Sequence, residues 1–456
     1  MNKISGIYKT FSKEILDLGV EKFKNILAML IFYDMTTDYK EQSVRKNLDE
    51  LDNVDSLLKH DAHSIFSLVE NPFYGVDNET YLKIRDFVLS LDTKGKDTIN
   101  EIFESILSDN DTKGLGVFFT PQCLSTITAQ IARAYKADKQ TTKVYDPTCG
   151  QGNLLLGYEA LAREAGEDCE LYGQEINPAS ANIAIMNSWL KKRHGKVEIG
   201  DTLGNPRLWN KKPFDVIVSN PPYSVPWNPD IPEKDPRTTL KAVLAPKSKA
   251  DWAFVMHSID YMAEDGIGVF IMFPGTLYRG GAEQKIREYL CKSGYLEAVI
   301  QMPANLFLRT SIGVDIVVLR KGKTDDKVLF YDASGYGTKA GKIRNISDEE
   351  IEEFIEDFSK KQTKVGVSQV VSYDDIEKED YKFTPSTYIQ QAEEEEPDLE
   401  ELNEELMTVE LRRLELQINS WKHMDMLADD LDLGIDSKYL DRYIEKINDI
   451  IEKVKG

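Results

Sequence analysis

Apolar residues change their spacing twice along this chain. From residue 1 to about 112 they recur every three or four positions, over Asn2–Tyr33 and Asn78–Leu107, as at Ile99, Ile102, Phe103 and Ile106. That is the period of helices buried on one face. From about Asp111 to Lys321 they gather into short runs: Lys143–Asp146, Glu170–Glu175, Val197–Gly200, Phe214–Ser219, Gly266–Phe273, Glu297–Met302 and Val314–Leu319. Helical periods separate most of these runs, a pattern that predicts an open, mainly parallel α/β sheet. Residues 328–390 read as a β/α extension beginning with the strand Val328–Tyr331. Beyond Glu393–Pro397, Leu399, Leu402, Leu406, Val409 and Leu416 fall near heptad positions, with Arg413 interrupting the seam, and an amphipathic stretch closes the chain over Ser437–Val454. The expected organisation is a helical domain over 1–112, an α/β domain over 113–390 and a helical tail over 391–456.

Composition narrows the class. With 456 residues, 41% hydrophobic and 29% charged, the chain has material for a sizeable core and is too apolar for a disordered protein. The longest apolar run near the N-terminus, Ile26–Tyr33, has eight residues, against about 20 for a membrane span, so no membrane role is expected. Met1–Leu16 carries lysines but no apolar core, which predicts no secretory signal. Cys123, Cys149, Cys169 and Cys291 lie far apart, which excludes a disulfide framework or structural zinc site and fits a reducing cytoplasm. The net charge of −22 argues at first sight against nucleic acid. However, residues 391–456 hold 20 acidic and 8 basic side chains, a local net of −12, and an acidic tail need not face the same partner as the rest.

The strongest chemical signal is Asn220-Pro221-Pro222-Tyr223, directly after the strand Phe214–Ser219. Ligands of open parallel sheets bind beyond the carboxyl ends of the strands. An amine conjugated to an aromatic ring is a poor nucleophile, because its lone pair is delocalised. The Asn220 amide oxygen and the Pro221 carbonyl can each accept one of its N–H groups, drawing the nitrogen towards a tetrahedral shape. Proline stiffens the corner, and Tyr223 offers a flat face for stacking a base. The bland alternative is a rigid turn carrying a surface tyrosine. A second signal, Asp146-Pro147-Thr148-Cys149-Gly150-Gln151-Gly152-Asn153, closes one strand and opens a helix; its glycines permit close backbone approach and the helix start favours an anionic group. The next strand ends in Glu175, 23 residues after Gly152, where a carboxylate grips ribose hydroxyls in nucleotide-binding sheets. The third ends at Asp201, placed to accept from an adenine amino group. Helix capping by each acid is the competing reading. Upstream, Phe118-Phe119-Thr120-Pro121-Gln122 reads as an aromatic wall followed by a helix start, with Thr120 as N-cap and Pro121 as first helical residue.

Taken in order, Phe118–Gln122, Asp146–Asn153 and Asn220–Tyr223 resemble the γ-class N6-adenine DNA methyltransferases. Asn100–Glu104, Asp251-Trp252-Ala253-Phe254 with His257, Phe273-Pro274-Gly275-Thr276-Leu277, Arg279–Glu283, Ile286-Arg287 and Met302–Phe307 extend the resemblance to the modification subunit of type I restriction–modification systems. Gly116-Val117 departs from the more usual glycine-acid/glutamine pair. The resemblance implies a Rossmann-like methyltransferase sheet that uses S-adenosylmethionine to methylate N6 of adenine in double-stranded DNA. By it, Phe118, Phe119, Thr120, Pro121 and Gln122 would line the methionine portion of the cofactor, with Asp146, Gly150, Gln151, Gly152 and Asn153 around the methionine and ribose. Glu175 would hold the ribose hydroxyls and Asp201 the cofactor adenine, while Asn220, Pro221, Pro222 and Tyr223 would hold the flipped target base. It also implies a specificity subunit as partner, a second copy of this chain, and in some assemblies a restriction subunit. No metal is expected.

His257 on its apolar helix reads as a core group and Cys149 as a small packing residue. The segment Ser224–Asp251, with Lys234, Arg237, Lys241, Lys247 and Lys249, reads either as a DNA-facing lid or as an ordinary solvated loop. Lys191-Lys192-Arg193-His194 is a basic helix end, explained equally by phosphate contact and by the helix C-terminus. Two alternatives remain: a protein glutamine N5-methyltransferase, which shares the Asn-Pro-Pro-Tyr corner, and a non-catalytic methyltransferase-like scaffold.

Overall fold

A computed structural model describes residues 11–36, 72–91, 98–100, 120–136, 139–191, 194–307, 313–340, 343–390, 406–417, 419–420, 423, 442 and 444–447. Phe118, Phe119, Glu101–Glu104, Lys192, Arg193, Leu399 and Leu402 lie outside them. The chain divides into two compact units, Met1–Gln390 and Gln391–Gly456.

The strands are β1 (Thr141–Asp146), β2 (Asp168–Glu175), β3 (Gly195–Ile199), β4 (Phe214–Ser219), β5 (Met262–Met272), β6 (Leu296–Gln301), β7 (Asp315–Arg320), β8 (Lys327–Asp332), β9 (Thr338–Ala340), β10 (Ile343–Asn345) and β11 (Ser368–Ser372). Nine of them form one sheet in the order β11-β8-β6-β7-β5-β4-β1-β2-β3. The pairings from β3 to β5 are parallel, as is β6 with β8, whereas β7 runs antiparallel between β5 and β6 and β11 antiparallel along β8. The mainly parallel α/β sheet expected from the sequence is therefore present. The short β9–β10 ribbon and the β11 edge refine the extension after 328.

Strand residues alternate between the two faces. Val144, Val216, Val218, Val269, Ile300 and Ile316 enter a core roofed by the helices Gln122–Tyr135, Asn153–Glu164 and Asp348–Ser359. Tyr145, Phe214, Ile217, Phe270, Val299 and Val317 enter the other, under Asp251–Tyr261 and Ala282–Lys292. Burial on both sides explains why the strands read as continuous apolar runs. The N-terminal helices Ser12–Leu18, Val20–Thr36 and Asn78–Leu89 bury Phe23, Ile26, Leu30, Tyr81 and Ile84 with Ile183, Met186 and Leu190 of the helix Pro178–Leu190. In the second unit, Leu411 and Leu414 pack with Ile444 and Ile447, while Leu406, Met407, Val409 and Leu416 are exposed. No helix among the described residues is long and apolar enough to cross a membrane.

Candidate functional site

Because β1, β2 and β4 run in the same direction, their ends bring Asp146, Glu175 and the Asn220–Tyr223 corner to one edge of the sheet. The turn after β1 is built around backbone amides. Asp146 Oδ1 accepts from Thr148 N at 2.9 Å, and Glu175 accepts from Gly150 N at 3.0 Å through Oε2 and from Asn177 N at 2.8 Å through Oε1. Gly150 adopts φ +52°, a left-handed conformation that L side chains rarely take, and the space where a Cβ would stand is open. A bound group can therefore come close to the backbone there. Burial pushes the Asp146 carboxyl up to about 8, with the nearby Glu175 charge adding to the shift. Burial likewise raises Glu175 against the opposing pull of its amide partners. The Cys149 thiol, also buried, is pushed up by burial and by these two acids, in keeping with a packing role. Asp201 is exposed, and its Oδ1 accepts from Leu203 N at 3.0 Å.

Some of these supports cannot be read from spacing. Asn100 donates to the Gln151 carbonyl at 3.3 Å and to Asn153 Oδ1, and its own oxygen accepts from Asn187 Nδ2 at 3.0 Å. Two buried amides thus brace the glycine turn from behind. Asn100 enters the sequence reading only through the family resemblance, and Asn187 is one of two asparagines, with Asn182, buried on the helix Pro178–Leu190. Ile176, 67% exposed at the end of β2, presents an apolar surface beside Glu175 that the sequence reading missed.

At the end of β4, the Asn220 amide is fixed from both sides. Its Nδ2 donates to Thr120 Oγ1 at 3.2 Å, and Tyr223 OH donates to its Oδ1 at 2.7 Å. This corrects the role expected of Thr120. The helix begins at Gln122 with Pro121 at the N-cap position and no side-chain cap. Thr120 instead accepts from Asn220 through its hydroxyl and from Asn153 Nδ2 through its carbonyl, at 3.0 Å, joining the two halves of the site. The Tyr223 hydroxyl is raised above its ordinary range by burial and by the Asp251 and Asp315 charges. The Tyr223 and Phe273 rings stand 6.2 Å apart, and the Arg279 guanidinium lies 5.2 Å over Phe273, so β4 and β5 end in a pair of aromatic faces. Ser224, with φ +53°, turns the chain away from the corner; both Asp251 oxygens hold its amide, at 3.2 and 3.0 Å. Arg287 fixes the segment after β5 by donating to the carbonyls of Tyr381, Thr276 and Arg279 at 2.6–2.8 Å.

Two further expectations meet the structure here. His257 is fully buried among Tyr145, Tyr261 and Arg237, as its apolar helix suggests. Arg237, counted among the basic residues of a DNA-facing loop, points inward and is buried. Lys234 and Lys247 of that segment are exposed. The segment is internally bonded: Trp227 N and Nε1 donate to the Lys247 and Pro246 carbonyls at 3.0 and 3.1 Å, and Asp260 caps the short helix Thr238–Ala242.

The acceptors at this edge fit the cofactor implied by the resemblance. A buried carboxyl served by one backbone amide, Asp146, can ionise beside a cation. Gln151 Oε1 is buried and has no hydrogen-bond partner among the described residues, so it can accept from a bound amine.

Known proteins sharpen the picture. A methylase subunit of a type I restriction enzyme from Mycoplasma pneumoniae is 35% identical over 349 residues, covering 70% of this chain and 64% of its own length. A second such subunit, from Methanocaldococcus jannaschii, is 31% identical over 299 residues, 61% of this chain and 51% of its own length. The chain thus matches between half and two thirds of each. The crystal structure of a type I restriction–modification methyltransferase subunit from Streptococcus thermophilus superposes with a TM-score of 0.68 at 25% identity, over 84% of this chain and 96% of that one. The model of the N-6 DNA methylases matches residues 94–397. That match takes in the braced glycine turn and the Asn220–Tyr223 corner together, and the chain belongs to the N-6 DNA methylase family.

Proposed function

We propose that this chain transfers a methyl group from S-adenosylmethionine to N6 of adenine in double-stranded DNA, as the modification subunit of a type I restriction–modification complex. The observation that carries the reading is Asn220, whose amide is held by Thr120 and Tyr223 at the strand edge shared with Asp146 and Glu175. When bound, the cofactor supplies an electrophilic methyl group on a sulfonium. Asp146 with Gly150–Asn153 would hold its methionine and ribose portions, Glu175 the ribose hydroxyls, and Ile176 and Asp201 its adenine; Phe118–Gln122 would serve the methionine side. The target adenine must leave the duplex, since N6 is paired inside it. Tyr223 and Phe273 then offer ring faces to the flipped base. The Asn220 oxygen and Pro221 carbonyl would accept the two N6–H groups while Pro222 stiffens the corner, so that the lone pair is localised; the N–C bond would form as the sulfonium S–C bond breaks, the departing thioether keeping that electron pair, and the surplus N6 proton would then pass to water.

Support for a subunit comes from the relatives' names and from the exposed apolar positions Leu406, Val409 and Leu416, spaced as a helical seam in an acidic tail. We assign that tail, residues 391–456, to docking with a specificity subunit that reads the DNA, with two copies of this chain around the duplex and a restriction subunit joining in some assemblies. We take residues 1–112, whose described helices are Ser12–Leu18, Val20–Thr36 and Asn78–Leu89, as the N-terminal part of the same scheme, with the cytoplasm as its compartment. The test is single-turnover transfer of labelled methyl from S-adenosylmethionine by the complex purified from its host, on duplex DNA and on protein glutamine. N6-methyladenine in the duplex is the expected product. Label on protein alone would move the assignment to glutamine methylation, and cofactor binding with no transfer would leave a scaffold.

A further inference from the structure

Arg237 belongs to the segment that leaves the Asn220–Tyr223 corner, yet only 1% of it is exposed. All five of its N–H groups have acceptors. Nε reaches both Asp235 oxygens at 2.9 and 3.2 Å. One terminal nitrogen donates to Asp235 Oδ2 at 2.6 Å and to the Leu203 carbonyl at 2.7 Å. The other reaches the Thr202 carbonyl at 3.3 Å and His257 Nδ1 at 3.1 Å. A guanidinium has no acceptor, so His257 Nδ1 accepts and its Nε2–H donates to Tyr145 OH at 3.1 Å. Burial and the Arg237 charge hold this imidazole well below its ordinary range, which keeps it in the neutral tautomer that the two bonds require.

The far ends of this network matter. Thr202 and Leu203 directly follow Asp201, and Tyr145 directly precedes Asp146. Thr202 Oγ1 in turn donates to the Pro147 carbonyl at 2.6 Å, closing a ring under the cofactor edge. One buried cation therefore ties the target-side segment to two of the three acidic strand ends. Replacing buried ion pairs with apolar groups of similar volume is often neutral or stabilising, so stability alone does not account for an arginine here, whereas fixed geometry across three loops does.

We propose that Arg237 is a positioning residue that transmits occupancy of the cofactor site to the target-side segment, so that binding at Asp146 and Asp201 orders residues 230–245. The proposal rests on the methyltransferase reading above. The full chain is examined by hydrogen exchange with and without S-adenosylhomocysteine as the probe. In the wild type, amides of 230–245 should exchange more slowly when the probe is bound, by roughly fivefold, the low end of ordinary site-to-site coupling. In Arg237→Gln the slowing should stay confined to 146–153, 175–177 and 201–205. Arg237→Lys keeps the charge but cannot form the five-fold array and should likewise lose the response at 230–245. A wild type that binds the probe without slowing 230–245, or a folded Arg237 variant that still transmits the response, overturns the proposal alone. The wild-type comparison decides this even if Arg237→Gln does not fold. A wild type that does not bind the probe at all overturns the functional reading and this inference with it.

Discussion

At the ends of β1 and β2 the side chains are acidic and face backbone amides: Asp146 toward Thr148 N, Glu175 toward Gly150 N and Asn177 N. At the ends of β4 and β5 the corresponding groups are uncharged and face one another: Asn220 between Thr120 and Tyr223, and Tyr223 beside Phe273. The carboxylate under that corner, Asp251, is turned to the Ser224 amide. The difference matches what each half is proposed to bind. A cation is favoured by carboxyls that burial has made reluctant to ionise alone. A neutral base is served by fixed dipoles and ring faces, which need no rearrangement as charge develops on its nitrogen.

The largest test of that contrast is Asn220→Ala. It removes the acceptor whose hydrogen bond should strengthen as N6 becomes cationic, and single-turnover methylation should fall by about 10²–10³ while cofactor affinity changes little. Near wild-type rates would erase the distinction between the two halves. Next is Glu175→Ala, which should weaken cofactor binding in calorimetry by about 1.5–3 kcal/mol, the scale of charge-assisted hydrogen bonds. Because Glu175 also holds the Gly150 and Asn177 amides, Glu175→Gln is the sharper companion. A loss as large as alanine's would point to the charge, and a small one to the geometry of the turn.

The third test uses pH. A carboxyl raised to about 8 is largely protonated at pH 6, and a cationic ligand favours its ionised form. Cofactor affinity should therefore rise with pH between about 6 and 8 by at most about tenfold per unit, and Asp146→Asn should flatten the slope. For the unliganded chain the sign is opposite: the folded state binds a proton that the unfolded state has released, so Asp146 costs stability as pH rises from its ordinary value towards about 8. Thermal melts across that window check it. The smallest effect is expected from Tyr223→Phe. Its ring face remains, but the hydroxyl that orients the Asn220 oxygen is lost, at about 1 kcal/mol, or roughly fivefold in rate. No change at all would mean that stacking alone is used.

Legibility differed between the two halves as well. On the acidic edge the positions were plain, because Asp146 and Glu175 each end a strand whose apolar run announces it and each takes an amide two residues on, Thr148 and Asn177; the Gly150 amide that Glu175 also holds lies 25 positions away. On the neutral edge the motif itself was plain, yet its supports were not. Thr120 meets Asn220 across 100 positions, and Phe273 follows a different strand, β5. Arg237 was read outward because charged residues in a proline- and lysine-rich segment are usually solvated. Nothing local reveals that its acceptors are carbonyls 34 and 35 positions away.

The sequence by itself marked eight of the eleven described strands and placed Asp146, Glu175 and Asn220 at the ends of three of them, since burial on both faces and glycine or proline punctuation leave marks at short range. Only the tertiary structure decided that β7 runs antiparallel between β5 and β6, that Asn100 and Asn187 brace the glycine turn, and that Thr120 serves Asn220 instead of capping its own helix. Those outcomes depend on which polar groups are left facing one another once the apolar faces are buried. A buried donor takes whichever acceptor lies within reach, and sequence spacing does not record that distance.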